Sequence, residues 1–471
     1  MKSIVTLIAA GSLLAAIATA QTRYTITDLG LVGGSPASGP RFITNNGLVA
    51  GAAAIPDGKV QAVLWSKGKN QSTNIGAPGL GGPNSWAGGA NESGAAVGGA
   101  QTKIPDNEDF CGFNALGLPL SGTSCLPFVY QNGAMTTLPT LGGPNGFANV
   151  INNRGVVAGL AQKNTRDAGC SVSQFKPVIW TNGKIQELPT YPGDPDGTAL
   201  GINDNGQVVG LSGPCAPFNA NLGFYLLDSH ALLWQDGKAT DLGNLGGDGG
   251  FGGNHACAIN NQGQVVGHSD LTGDTTFHAY LWTKETGMRD IGTLPGDFAS
   301  LANAINDSGQ VVGASLDSMF NLRAVAWQNG VPVDMNTLIP ANTGLSLLIA
   351  SQINSRGQIV GIGATSTGDV HGFLATPVPV TTASAGPKSV TVVGREMTLD
   401  GTASISADGK PLTYQWSIPQ GSPSAGILHG NTATPSVQFS PARGVYTFQL
   451  TVTDSTGTSA SDVVTVNFQG N

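Results

Sequence analysis

The chain is poor in charged and aromatic residues and has no excess of basic charge. Charged residues make up 11% of its 471 residues and aromatic residues 6%, with 21 Lys and Arg against 29 Asp and Glu. The formal charge of −8, without any basic run, argues against nucleic acids and anionic membranes as partners. Hydrophobic residues still amount to 40%, which is too many for a disordered chain.

The sequence also lacks the runs of Ala, Glu, Lys and Leu that form long helices, and it contains 69 Gly and 27 Pro. Because Gly and Pro both interrupt helices, this composition predicts an all-β protein whose short strands are joined by glycine turns. No stretch beyond the N-terminus reaches the ~18 apolar residues that a membrane-spanning helix needs. The length predicts two or three domains.

Residues 1–20 have the pattern of a secretory signal peptide. Lys2 supplies the positive charge, Ile4 to Ile17 is apolar, and the small residues Ala18 and Ala20 precede the predicted cleavage point. A membrane anchor is the alternative, but the segment is short for one. We therefore expect a secreted or extracellular protein, with cell-surface association left open.

A nine-residue pattern recurs seven times between residues 43 and 361. The copy from Ile305 to Gly313 is typical: Ile-Asn, two polar residues, Gly, and a β-branched segment that ends in Gly. Because Asn and Gly tolerate positive φ, the pattern predicts a tight hairpin. The copies lie roughly 50 residues apart and end at Gly51, Gly98, Gly159, Gly210, Gly267, Gly313 and Gly361.

A second hairpin lies between successive copies of the first. It is exemplified by a strand ending at Trp234, a short turn, and a strand ending at Asp241-Leu242-Gly243. Four strands in each of seven units predict a seven-bladed β-propeller over residues 21–376, with an open β-solenoid as the competing fold. Strand 24–29 and strand 372–376 are the two halves of one such hairpin, so we expect them to pair.

The motifs of the fifth and sixth units resemble those of the HAF family of bacterial extracellular repeat proteins. These motifs are Asp241 to Gly247, Ala258 to Gly267, and His278 to Trp282. The resemblance covers residues 24–376 and is looser in the first two units, where Thr44 and Tyr130 replace the usual Asn and Trp. It implies export and a propeller-like fold. It implies no known reaction, so no catalytic residue is carried over.

The C-terminal region departs from the repeat. Residues 377–387 are rich in Pro, Thr, Ser and Ala and are expected to be a linker. Residues 388–471 are expected to form a small Ig-like β-sandwich, because the segments Asp400–Ser404, Leu412–Trp416 and Gly444–Asp454 resemble a PKD domain. Trp416 is its expected core residue. The acids in its turns, Asp400, Asp408 and Asp454, are expected to cap those turns rather than to bind calcium.

The connection between the closing glycine and the Trp strand is longest in the second, third and fourth units, and four of the five cysteines lie there. Four cysteines allow three pairings, and sequence proximity favours Cys111–Cys125 and Cys170–Cys215. Cys257, inside an apolar strand, is expected to be a buried thiol. Export is compatible with such bridges.

These long connections form the predicted ligand-binding surface. The alternative is that they only cover the fold or an interface. The acidic run from Asp106 to Asp109 could hold a cation, but a solvated charge cluster is the preferred interpretation. The candidate binding residues are Asp106, Glu108, Asp109, Arg166, Asp167, Phe218 and Tyr225.

The sequence predicts no metal site, no cofactor and no catalytic residue. His230, His278 and His371 share one register and are expected to make a repeated structural hydrogen bond. His255 and His268, which flank one hairpin, are at most a weak metal candidate.

The resulting hypothesis is a non-enzymatic extracellular binding or adhesion protein whose partner is a glycan or another protein. The alternatives are a secreted polysaccharide hydrolase or lyase, which would need two carboxylates roughly 5–10 Å apart in a pocket, and a structural component of a surface array.

Overall fold

The computed structural model describes residues 22–31, 37–66, 71–76, 79–108, 122–167, 170, 172–214, 218–219, 224–225, 228–328, 330–407, 409–440 and 442–470. The predicted signal peptide, residues 1–20, lies outside these ranges. The chain divides into two compact units, Met1–Thr376 and Pro377–Asn471. Within the described residues, no helix is long and apolar enough to cross a bilayer.

The first unit contains seven four-stranded sheets, one for each sequence unit. Strands are numbered along the chain. Sheet 1 contains β2 (Ser38–Ile43), β3 (Val49–Ala54), β4 (Val60–Trp65) and β5 (Ser72–Asn74). Sheet 2 contains β6 (Gly81–Ala90), β7 (Ala96–Pro105), β8 (Thr123–Gln131) and β9 (Ala134–Thr137). Sheet 3 contains β10 (Gly142–Ile151), β11 (Val157–Lys163), β12 (Phe175–Thr181) and β13 (Lys184–Glu187).

The remaining sheets repeat this order. Sheet 4 contains β14 (Asp196–Ile202), β15 (Val208–Gly213), β18 (His230–Gln235) and β19 (Lys238–Asp241), with the hairpin β16 (Phe218–Asn219) and β17 (Phe224–Tyr225) inserted. Sheet 5 contains β20 (His255–Ile259), β21 (Val265–Asp270), β22 (Phe277–Thr283) and β23 (Gly287–Asp290). Sheet 6 contains β24 (Ala299–Ile305), β25 (Val311–Leu316), β26 (Leu322–Gln328) and β27 (Val331–Asp334), followed by a short 3-10 helix, Met335–Leu338.

Sheet 7 joins the two ends of the repeat region. It contains β28 (Leu345–Ile353), β29 (Ile359–Thr365), β30 (Val370–Pro377) and, beside β30, the N-terminal strand β1 (Tyr24–Asp28). The N–H of Leu29 donates to the carbonyl of Gly372 at 2.9 Å. The predicted pairing between the first and last strands is therefore confirmed.

The first strand of each sheet, here called the inner strand, contacts the inner strands of both neighbouring sheets. The series is closed, because β28 of sheet 7 contacts β2 of sheet 1. The hydrophobic cores lie between neighbouring sheets: one of them combines Val360 and Leu374 of sheet 7 with Val49 and Trp65 of sheet 1. Each sheet thus buries apolar side chains against the next.

The repeated Asn connects neighbouring units. Asn152 accepts the N–H groups of Arg154 and Val156 within its own turn and donates from Nδ2 to the carbonyl of Asn203 in the next unit. Equivalent inter-unit bonds start from Asn91, Asn152, Asn203, Asn260, Asn306 and Asn354. The expectation that Asn adopts positive φ was wrong, because only the turn glycine, such as Gly155 at φ 80°, does so. Asn is there for its side chain.

The closing glycines face a β-bulge. Every inner strand is irregular at the same place, where it bulges away from the second strand of its sheet. A Cβ at Gly313 would lie 1.9 Å from the carbonyl oxygen of Leu301, and the other six closing glycines are equally crowded. Only glycine fits at these positions.

The second unit is a sandwich of two sheets. One has the order β31 (Ser389–Val392), β37 (Ser459–Phe468), β36 (Gly444–Thr453) and β33 (Thr413–Ser417); the other has the order β32 (Glu396–Thr398), β35 (Ser436–Phe439) and β34 (Ala425–Leu428). Trp416 is 5% exposed and lies in its core, as predicted. Within the predicted linker, Ala385 belongs to the same core.

The turn acids of this unit cap their own loops. Asp454 accepts the N–H groups of Thr456 and Thr458, and Asp400 accepts that of Thr402. The capping prediction is confirmed for these two residues, and Asp408 lies outside the described residues.

Candidate functional site

The connections between strands lie at two opposite ends of the sheets. Because adjacent strands run antiparallel, the turns after the first and third strands of a sheet share one end, which we call the turn end. The connections after the second strand, including the three long ones, share the other end, which we call the loop end. The inter-unit bonds of the Asn turns show that the turn ends of all seven sheets lie together.

Glu108 ties the loop-end connection of sheet 2 to that of sheet 3. Its carboxylate accepts hydrogen bonds from Nε2 of Gln162 at 2.6 Å, from the backbone and hydroxyl of Ser173 at 3.0 and 2.9 Å, and from the guanidinium of Arg166. The Glu108 side chain is only 6% exposed. The preferred interpretation of this acidic run as a solvated cluster is wrong for Glu108, because its oxygens are engaged by protein donors.

The neighbouring candidates are used in the same way. Asp106 accepts from Nδ2 of Asn145 at 3.0 Å and from the N–H of Glu108 at 3.2 Å. Oδ1 of Asp167 accepts from Nε2 of Gln174 at 2.7 Å. The structure thus brings Asp106, Glu108 and Arg166 into one bonded group, whereas Asp109 lies outside the described residues.

Asp167 also approaches Asp196, which the sequence did not single out. Their carboxylates and Sγ of Cys170 lie within 4.8 Å of one another. Burial raises the pKa of Asp196 to about 6, while the N–H of Phe175 and the charge of Lys176 oppose the shift and Asp167 adds to it. Oδ2 of Asp167 is buried and accepts no hydrogen bond. Asp196 itself is 1% exposed, so a bulky substrate has no access to this pair.

The cysteines are only partly described. Cys125 and Cys170 are disulfide-bonded, and their partners lie outside the described residues, as do Cys111 and Cys215. The pairing Cys111–Cys125 and Cys170–Cys215 therefore stays a prediction. Cys257 is a free thiol as expected, but it is only half-buried, because it occupies the bulge of β20.

Phe218 and Tyr225 pair through their backbones in the hairpin of β16 and β17. Their side chains lie outside the described part of the chain.

The histidines in the shared register make structural contacts. Nδ1 of His278 lies 2.8 Å from Asp290, and Nδ1 of His371 lies 2.8 Å from Asp28, in both cases the Asp of the adjacent strand. His230 instead lies 3.0 Å from Asp194, in the connection that follows sheet 3. Although burial raises it, the pKa of Asp290 stays below its usual value, because His278 and the N–H of Gly292 bond to the carboxylate. The predicted structural role is confirmed.

His255 and His268 form a buried pair in sheet 5. They lie opposite each other in β20 and β21, with ring centroids 4.4 Å apart. Burial lowers the pKa of His268 to about 4, although its bond to the Gly252 carbonyl raises it, and burial together with the charge of His268 lowers the pKa of His255 well below its usual value. Both rings are therefore neutral near pH 7.

The turn end encloses a cavity that sequence reasoning missed. All seven units line this space of about 150 Å³. At its rim, the residue after each turn Asn or Thr receives a hydrogen bond from the preceding unit in five described cases; Asp204, for example, accepts the N–H of Asn153 at 2.9 Å. The rim residues are Asn45, Glu92, Asn153, Asp204, Asn261, Asp307 and Ser355. Their common position in every copy was the signal available in the sequence.

Comparisons with known proteins match mainly the second unit. Residues 385–468 match a family model for PKD domains of the KIAA0319-like type. The human dyslexia-associated protein KIAA0319 is 38% identical over 89 residues, which are 18% of this chain and 8% of that protein. The mouse KIAA0319-like protein is 34% identical over 137 residues, 29% of this chain and 12% of that protein.

One solved structure also matches. The PKD domain from KIAA 1837 protein is 32% identical, and the match covers 18% of this chain and 83% of that chain, with a TM-score of 0.17. This chain spans about a tenth of the length of the two curated relatives. Together these matches show that the all-β chain carries a PKD-like domain at its C-terminus.

Proposed function

We propose that this chain is an exported binding or adhesion protein of the extracellular space or cell surface, in which the seven sheets are the blades of a HAF-type seven-bladed β-propeller. The closed series of inner strands supports the propeller arrangement. The PKD-like domain is proposed to act as a spacer or weak binding module. Its relatedness to the KIAA0319 proteins is compatible with that role.

The observation that carries the binding proposal is the bonded group around Glu108. A carboxylate that receives hydrogen bonds from a neighbouring sheet holds two long connections in one arrangement. Ordering such loops before a ligand arrives lowers the entropy cost of binding. We place the ligand surface, for a glycan or a protein, on the loop-end connections of sheets 2 to 4. Glu108 itself is a positioning residue.

The test is binding of residues 21–471 to a glycan array, followed by affinity capture of protein partners. One variant replaces residues 107–121 with a short Gly-Ser turn, because Asp106 and Gly122 close the base of this loop through a backbone bond at 2.9 Å. The matched control, Met319→Ser, alters an exposed residue of the sheet 6 connection at the same end. Binding that is lost only in the loop variant supports the proposal. Binding that both variants retain would place the ligand elsewhere.

The enzyme alternative is a polysaccharide hydrolase or lyase. Asp167 and Asp196 are the close carboxylate pair that it would need, but Asp196 is sealed from solvent. Turnover of a soluble polysaccharide that is lost in Asp167→Asn would favour the enzyme. The surface-array alternative predicts that the purified chain assembles into sheets or fibres.

A further inference from the structure

The seven bulges place one residue of each inner strand at the same level. All seven touch solvent, although the residue that precedes each of them is buried. Several residues that follow them, such as Phe42 and Val150, line the turn-end cavity. This bulge ring therefore lies at the inner end of the cavity. It consists of Arg41, Gly88, Asn149, Leu200, Cys257, Asn303 and Ser351.

Arg41 is the one charged residue of the bulge ring. Its guanidinium carbon lies 4.4 Å from the ring centroid of Trp86 in sheet 2, and its charge also acts on the thiol of Cys257 in sheet 5. A side chain of sheet 1 thus reaches towards two other sheets of the closed series. Among the described residues, Arg41 has neither a carboxylate partner nor a hydrogen-bond acceptor.

The surroundings of Arg41 make this lack of a partner informative. The side chain touches solvent, yet the enclosing protein strips enough water from it to lower its pKa to about 10. A guanidinium that has lost hydration without gaining an anion is costly. Beside it, Nε1 of Trp86 is a buried donor without a partner.

We propose that Arg41 and Trp86 form a binding site for a small carboxylate anion at the inner end of the turn-end cavity. Trp86 covers one face of the guanidinium, so the ligand meets the in-plane N–H edge, whose forked donors match a carboxylate. Nε1 of Trp86 supplies a further donor. The rim carboxylates Glu92, Asp204 and Asp307 repel multiply charged anions, and the cavity of about 150 Å³ admits only a small ligand.

The test is calorimetric titration of residues 21–471 with acetate and with glucuronate at constant ionic strength, and with glucose as the neutral comparison. We expect saturable 1:1 binding of a carboxylate and none of glucose. Arg41→Met removes the charge and is expected to weaken binding at least about tenfold. Arg154→Met, at an exposed turn position, serves as the matched control and should bind as the unmodified chain does.

Arg41→Lys separates charge from geometry, since it keeps the positive charge and removes the fork. It is expected to bind the carboxylate more weakly than the unmodified chain, and it decides the test if Arg41→Met does not fold by circular dichroism. Phosphate binding without carboxylate binding would overturn the ligand class. Absence of anion binding, or equal binding by a folded Arg41 variant and the unmodified chain, would overturn the site.

Discussion

The side-chain amide of Asn354 donates to the backbone carbonyl of Thr44 at 3.1 Å, across 310 residues of sequence. This bond joins the last sheet to the first and completes the series that the turn asparagines make from unit to unit. Thr44, where the other copies have Asn, cannot donate onward in the same way. There, Nδ2 of Asn46 bonds the carbonyl of Glu92 at 2.9 Å instead.

Replacing the closing donor is expected to destabilise the first unit. Asn354→Asp keeps the oxygen that caps Arg356 and Gln358 but places a carboxylate oxygen against the Thr44 carbonyl. We expect the free energy of unfolding to fall by about 1–3 kcal/mol, measured by urea denaturation with tryptophan fluorescence. Asn107→Asp, at an exposed position, is the control. Equal stability of the two variants would show that this bond is dispensable.

The closing glycines are expected to tolerate no side chain. Gly313→Ala would place a methyl group 1.9 Å from the Leu301 carbonyl, so the bulge must shift at a cost of about 3 kcal/mol. Gly39→Ala, in β2, is the matched control, because its Cβ would meet no atom closer than 4.0 Å. Thermal unfolding of both variants checks this, and a loss no larger at Gly313 than at Gly39 would refute the steric explanation.

The buried histidine pair predicts a loss of stability in acid. His268 has a pKa of about 4 in the folded chain against about 6.5 when unfolded, so the unfolded state takes up a proton first. Stability is then present above about pH 6.5 and falls as the pH drops towards 4, by about 3 kcal/mol. Urea midpoints between pH 7 and 4 measure this loss. His268→Gln should flatten the profile, and the exposed His429→Gln should not.

Asp196 predicts the opposite slope. Its folded pKa of about 6 lies above the unfolded value of about 3.9, so its contribution is greatest below pH 4 and is lost as the pH rises through 6. Asp196→Asn keeps an acceptor for the Phe175 N–H. It should stabilise the chain at pH 7.5 by about 2 kcal/mol and have little effect near pH 4. The exposed Asp236→Asn is the control, and equal effects at both pH values would contradict the assignment.

The repeat pattern predicted the four strands of each unit and the pairing of the first strand with the last, because hairpin signals are local. The histidine register and Trp416 were predicted correctly for the same reason. Glu108 could be named as a candidate, but its role could not be predicted. Its partners Gln162 and Ser173 belong to another unit, and no local rule relates their positions.

The sequence by itself determined the all-β class, the number of units and the turn chemistry, since each depends on residues a few positions apart. Only the tertiary structure decided which side chains meet across units: Asn354 with Thr44, Glu108 with Ser173, and Arg41 with Trp86. The bulge that turns Arg41 towards the cavity depends on how two strands pair and on the close approach of Gly51 to Gly39. Such pairing is a property of the packed chain, because it balances many weak contacts at once.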